Sequence, residues 1–267
     1  MTVVRVSAVQ HDIVWHDRAA NFAHLGPMVA GAAANGARVV LLTETFSTGF
    51  SFDSPDIAEP EGGPSSQFLA EMARAHGVWV GGSCPEIAPE APSDDQRPSN
   101  VFVLAAPDGT VHRYRKVHPF TYAGEDRHFR AGTDLVTVEV LGLRISLFVC
   151  YDLRFADEFW ALANDVDAYL VVANWPEKRR LHWSTLLRAR AIENQAYVVG
   201  VNRVGSGGGL DYSGDSAIID FLGHPLTEAA DEEVVSTMLL QAAPLIEHRA
   251  RFPALLDGDA FQLGNGG

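Results

Sequence analysis

Ten short segments rich in Val, Ile and Leu recur along this chain, and they constrain its fold more than any other feature. They cover residues 3–9, 38–42, 78–82, 101–105, 135–140, 144–149, 168–173, 196–201, 217–221 and 234–239. Branched side chains in runs this short favour strands. Residues 18–34, 65–75, 155–164 and 182–194 fall between them with apolar residues at three- and four-residue spacing, the period of a helix that buries one face. Alternation of the two patterns predicts an α/β fold. Pro107-Asp108-Gly109 and Leu141-Gly142-Leu143 are tight-turn sequences between consecutive strands, so part of the pairing is antiparallel and the sheets are mixed.

Composition sets the outer limits. A chain of 267 residues with 47% hydrophobic content can bury a large core. No low-complexity stretch or repeat divides it, so the expectation is one domain over residues 1–267 with a C-terminal tail from about residue 245. Residues 85–98, with four prolines among acidic residues, read as a surface loop. The net charge of -14 leaves no clustered basic surface for nucleic acid. No apolar stretch approaches the roughly 20 residues of a membrane helix. The first strand begins without a basic and apolar leader, which predicts a cytoplasmic protein, and two cysteines do not make a disulfide framework.

Ligands in α/β sheets gather beyond the carboxyl ends of strands, so a polar residue directly after an apolar run carries weight. Glu44 follows Val39-Val40-Leu41-Leu42-Thr43, and Cys150 follows Ile145-Ser146-Leu147-Phe148-Val149. With the turn Tyr151-Asp152-Leu153-Arg154 and a helix expected from near Phe155, Cys150 has the setting of a nucleophile elbow, where a helix N-terminus would favour the thiolate. A cysteine at a strand end can equally be core, and that is the reading for Cys84 in Gly81-Gly82-Ser83-Cys84. Glu44, desolvated at the end of an apolar strand, suits a general base, and Thr45 to Phe50 read as a pocket-lining loop. Lys116, alone, would be a surface lysine, but a fixed ammonium is what the oxyanion of acyl transfer requires.

Leu41-Leu42-Thr43-Glu44-Thr45-Phe46, Tyr114-Arg115-Lys116-Val117-His118 and Val149-Cys150-Tyr151-Asp152-Leu153-Arg154-Phe155 resemble, in order, the Glu, Lys and Cys motifs of the nitrilase superfamily of carbon-nitrogen hydrolases. Within it, Val172-Ala173-Asn174-Trp175-Pro176, His182-Trp183, residues 189–198, Asn202-Arg203-Val204-Gly205 and Tyr212-Ser213-Gly214-Asp215-Ser216 are most similar to the omega-amidase branch, which acts on 2-oxoglutaramate and 2-oxosuccinamate. The resemblance implies a four-layer αββα sandwich with mixed sheets, a homodimer, and catalysis by Glu44, Lys116 and Cys150 through a thioester, without a metal or cofactor. It also implies Glu125 as a second carboxylate that holds Lys116 or assists water, and the Tyr151 backbone N–H as an oxyanion donor.

A substrate of that branch carries a carboxylate, for which Arg154 is the nearest cation, although it reads as well as an ion-pair partner of Asp152. Trp175 and Phe50 are candidate pocket walls or core. His11, Asp12 and His16 lack the further ligands of a metal centre. Gly205-Ser206-Gly207-Gly208-Gly209 lacks the Lys-Ser/Thr of a phosphate loop and reads as a flexible loop beside the site. Open alternatives are a nitrilase, an N-carbamoyl amine hydrolase, a deaminated-glutathione amidase and, from another class, a catalytically idle binding module.

Overall fold

The computed structural model describes residues 2–52 and 54–260. Two seven-stranded mixed sheets form its centre. The first contains β1 (Val3–Gln10), β2 (Val39–Leu41), β3 (Glu59–Pro60), β4 (Trp79–Ile87), β5 (Ser99–Ala105), β6 (Val111–Arg115) and the last strand, β14 (Val234–Gln241), in the order β14-β1-β2-β4-β5-β6 with β3 beside β4. The second contains β7 (Thr137–Val140), β8 (Leu143–Val149), β9 (Ala168–Ala173), β10 (Tyr197–Asn202), β11 (Val204–Gly207), β12 (Leu210–Ile219) and β13 (Pro225–Ala230), in the order β11-β12-β10-β9-β8-β7 with β13 beside β12. Parallel pairs (β1 with β2, β2 with β4, β8 with β9, β9 with β10) occupy the middle of each sheet. Antiparallel pairs joined at the two predicted turns, β5 with β6 and β7 with β8, lie towards the edges.

Period-two alternation sorts the side chains into layers. In the first sheet Val39, Leu41, Phe102 and Leu104 face the second sheet. Val40, Val101 and Val103, their neighbours in sequence, face the opposite way, onto Leu25 and Val29 of α1 (Arg18–Ala34) and Leu69 of α3 (Pro64–His76). Both helices have the termini their sequences dictate. The Asp17 side chain caps α1 by accepting from the Ala20 N–H at 2.9 Å, while Pro64 opens α3 and Gly77, at φ 66°, closes it. The second sheet is covered by α5 (Ala156–Ala161) and α6 (Arg180–Glu193), whose Trp183, Leu187 and Ala191 join the same buried cluster as β8, β9 and β10. The four layers are therefore helix, sheet, sheet, helix, as the resemblance implied. Short α2 (Ser54–Ile57) and α4 (Glu125–His128) flank the strand ends. No helix among the described residues is long and apolar enough to cross a membrane.

Three readings change. The loop expected over residues 85–98 begins only after Ile87, because Pro85 and Glu86 lie within β4 and pair with Asn100 and Ser99 of β5. The helix expected over residues 155–164 shortens to Ala156–Ala161. The glycine-rich segment 205–209 is the end of a β-hairpin: β11 pairs antiparallel with β12, and Gly208 and Gly209, at φ 58° and 75°, make the two-residue turn that right-handed strand twist favours. A Cβ on Gly207 or Gly208 would lie 3.0 or 2.8 Å from the Trp15 ring, so that indole packs directly against the hairpin backbone. At the C-terminus, α7 (Ala242–Arg251) anchors the segment through Leu245, which is fully buried, and Arg249, which donates to the carbonyls of Val166 and Gln195 at 2.9 Å each.

Candidate active site

The carboxyl ends of β2, β8 and β9, with the segment after β6, deliver Glu44, Cys150, Asn174 and Lys116 to one place. Cys150 and Asn174 directly follow the apolar strands β8 and β9, and Glu44 lies three residues past β2, so strand pairing places their backbone before any side chain contributes. Glu44 and Lys116 are 0% and 1% exposed, so their polar atoms must find partners within the protein. Glu44 Oε1 accepts from Asn100 Nδ2 at 2.8 Å and from Lys116 Nζ at 3.1 Å, and Oε2 accepts from the Asn174 backbone N–H at 2.7 Å. The Asn174 side chain reaches back to the Glu44 carbonyl at 2.7 Å, so β2 and β9 are locked together across the two sheets.

Lys116 also donates to both oxygens of Glu125, at 3.1 and 2.9 Å, and its ammonium lies 5.3 Å from the centre of the Phe50 ring. Burial alone would favour the neutral amine, but Glu125 and Glu44 outweigh it and hold Lys116 above the ordinary lysine range. Burial and Glu44 push the Glu125 carboxyl up, against the pull of Lys116. The sequence-inferred set of Glu44, Lys116 and Glu125 is thus one buried carboxylate-ammonium-carboxylate chain, with Phe50 beside it.

Cys150 adopts φ 47°, a left-handed conformation that costs an L-residue energy and persists only where its surroundings impose it. Asp152 imposes it here. Its Oδ2 accepts from the Val149 N–H at 2.9 Å and the Tyr114 hydroxyl at 2.8 Å, and its Oδ1 accepts from the His118 N–H at 2.9 Å. The turn is a strained elbow, as expected, but the thiolate is not favoured in the way the sequence suggested. Residues Cys150–Arg154 form a 3-10 turn, and α5 begins only at Ala156 and spans six residues. Burial, reinforced by Glu44, pushes the Cys150 thiol well up, with Lys116 pulling against it. Cys84 is a fully buried core thiol, as read from the sequence.

The thiol opens onto a cavity of about 60 Å³, room for several water-sized groups. Phe50, Lys116, Tyr151, Arg154 and Trp175 all line it, so every sequence-proposed pocket residue is brought there. Arg154 is not paired with Asp152: it lies 4.8 Å from the centre of the Trp175 ring and shares a 3.0 Å contact with His182 Nδ1. His11 points elsewhere, to Thr43 Oγ1 at 3.0 Å and the Asp12 carbonyl at 2.8 Å.

Sequence reasoning missed Asn100, Asn174, Phe120, Arg179, Leu210 and Tyr212. Asn174 ends the apolar run of β9, the same signal that picked out Glu44 and Cys150, and it was there to be used. Arg179 and Tyr212 follow no such run and reach the cavity through tertiary packing alone. Leu210 does so as the first residue of β12, beyond the glycine turn.

A carbon-nitrogen hydrolase family model matches residues 5–249. The omega-amidase YafV of Escherichia coli (strain K12) is 39% identical over 266 residues, covering 98% of this chain and all of that protein. The 2-oxoglutaramate amidase of Bacillus subtilis is 32% identical, covering 83% of this chain and 85% of that one. Among solved structures, XC1258 of Xanthomonas campestris, a CN-hydrolase superfamily protein with an arsenic adduct in its active site, matches with a TM-score of 0.91 and 42% identity, covering 99% of this chain and all of that one.

Proposed function

Because the chain belongs to the carbon-nitrogen hydrolase family, we propose that it is an omega-amidase that hydrolyses the terminal amide of 2-oxoglutaramate, or a similar omega-amide of a dicarboxylic acid, through a thioester on Cys150. The observation that carries the mechanism is the Glu44 carboxylate holding Lys116, with both groups acting on the Cys150 thiol, Glu44 raising it and Lys116 pulling it down. A protonated thiol needs a base at the moment of attack. Glu44 takes the thiol proton as sulfur adds to the amide carbonyl. Neutralised, it attracts Lys116 less, and the ammonium, still held by Glu125, stabilises the oxyanion together with the Tyr151 backbone N–H.

Glu44 then returns its proton to the leaving nitrogen, the C–N bond breaks, and ammonia departs to leave the thioester. Water adds through its oxygen to the thioester carbonyl as Glu44 accepts its proton, the carbon–sulfur bond breaks to release the carboxylic acid, and Glu44 returns the proton to sulfur to restore the thiol. Glu125 keeps Lys116 in place throughout. Asn100 and Asn174 hold the Glu44 carboxylate in one orientation. Phe50 and Trp175 wall the pocket, and Arg154 is the proposed contact for the substrate's remote carboxylate.

The relatives named for omega-amide hydrolysis support this substrate over carbamoyl amines, nitriles or deaminated glutathione, and a complete Glu-Lys-Glu-Cys set opposes an idle binding module. We propose further that the protein works as a homodimer, with α6 at the contact: Leu181 and Ile192 project from it, 72% and 56% exposed.

The test is ammonia release from 2-oxoglutaramate by the wild type and by Cys150→Ala. Release by the wild type alone is expected. Release by both would sink the nucleophile, and release by neither would remove the substrate assignment.

A further inference from the structure

Two arginines line the cavity, in a chain where acidic residues outnumber basic ones by 34 to 20. Most buried or half-buried arginines of this protein are matched to a carboxylate: Arg113 to Glu86, Arg180 to Asp215, Arg190 to Glu193 and Arg203 to Asp12. Arg154 and Arg179 are not. Among the described residues neither has a carboxylate within 4.0 Å, and each guanidinium rests instead on an aromatic face, Arg154 at 4.8 Å from the Trp175 centroid and Arg179 at 5.2 Å from that of Phe120. Stacking fixes the plane of a guanidinium while leaving its N–H edge free to donate in pairs.

The two are joined through Trp175. Its ring face carries Arg154, and its Nε1–H donates to the Arg179 carbonyl at 2.9 Å. Trp175 is itself fixed by Asn202, which accepts from its backbone N–H at 2.7 Å and donates to its carbonyl at 3.0 Å. The third cation of the cavity, Lys116, is already held between Glu44 and Glu125. The charge available to a ligand therefore resides on Arg154 and Arg179, and both are preorganised.

We propose that Arg179, acting with Arg154 across Trp175, is the specificity-determining residue that selects amides carrying a carboxylate at the end remote from the scissile bond. This inference rests on the omega-amidase reading for its substrate and on the geometry alone for its anion site. It assigns to Arg179 a second guanidinium contact with the carboxylate, beside Arg154, one Nη of which is engaged by His182. The chemistry recognised is a carboxylate on a chain short enough for its amide carbon to reach Cys150.

Protection of Cys150 from iodoacetamide by glutarate, a dicarboxylate with no amide to hydrolyse, tests the anion site without turnover. Glutarate is expected to slow alkylation of the wild type, and the uncharged diamide glutaramide to do so far less. In Arg179→Met the glutarate concentration for half protection should rise roughly ten- to hundredfold, the range for losing a hydrogen-bonded charge partner. Arg179→Lys, which keeps the charge and loses the two-pronged donor, should weaken protection severalfold, and it is the variant to read if Arg179→Met does not fold. For turnover, the ratio of kcat/KM on 2-oxoglutaramate to that on pentanamide should fall in Arg179→Met, mainly through KM. Equal protection of wild type and both variants by glutarate, or an unchanged substrate ratio, would overturn the proposal. Protection by glutarate without ammonia release from 2-oxoglutaramate would sink the substrate assignment and leave the anion site standing.

Discussion

Cys150 and Cys84 both have thiols pushed up by burial, yet the causes around them differ. Cys84 lies in an apolar cluster beneath α3, with Glu86 and Glu59 raising it further. Cys150 has Lys116 pulling its thiol back down, and it borders a cavity. Iodoacetamide at pH 8 should therefore modify Cys150 at least tenfold faster than Cys84, as peptide mapping over a time course would measure, and equal rates would contradict the assignment. Lys116→Met removes the cation that pulls the Cys150 thiol down and that is proposed to stabilise the oxyanion. It should slow that labelling and lower kcat by about 10²- to 10³-fold, the range for losing one oxyanion donor. Glu44 and Cys150 were legible as single residues because strand-end polarity is a local signal. The charge pairing that gives them their chemistry was not, since Lys116 and Glu125 reach Glu44 across 72 and 81 positions of chain.

The elbow is the element on which the site depends, and Asp152 holds it. Burial pushes the Asp152 carboxyl to about 6 from an ordinary 3.8, although the N–H groups of Val149 and His118 and the Tyr114 hydroxyl favour its ionised form. A carboxyl raised on folding binds its proton more tightly in the native state. Its contribution to stability is therefore greatest below pH 3.8 and falls as pH rises to about 6, by about 3 kcal/mol over that interval. Asp152→Asn cannot titrate. The stability difference between wild type and Asp152→Asn, from urea unfolding at pH 4 and pH 7, should shift in favour of the wild type by that order at the lower pH. A pH-independent difference would show that Asp152 does not titrate in this window. The same variant cannot satisfy all three donors, so its kcat should fall even at pH 7. The hairpin of β11 and β12 teaches a related lesson. Five residues of Gly and Ser suggested a loose loop, but two of the glycines are the φ-positive turn and two face the Trp15 ring, with Gly208 in both roles.

At the scale of the whole molecule, the two sheets bury one shared cluster between them, and helices close both outer faces. The exposed apolar side chains Leu181 and Ile192 on α6 predict a particle of twice the 28.9 kDa chain mass in sedimentation equilibrium. Leu181→Asp with Ile192→Asp should return it to a monomer; a wild type that sediments as a monomer at micromolar concentration would remove the homodimer. Sequence alone determined an α/β chain with mixed sheets, because period-two and three-to-four-residue spacing record which face of each element meets the core; the layer order came from the family resemblance, and Glu44 and Cys150 stood out as polar residues ending apolar runs. Tertiary structure alone decided that Lys116 bridges two carboxylates, that Asp152 holds the elbow while Arg154 stays free of it, and that Arg179 enters the cavity. Those facts depend on distances between segments remote in sequence, and they follow from the packing of one sheet upon the other, which no local pattern records.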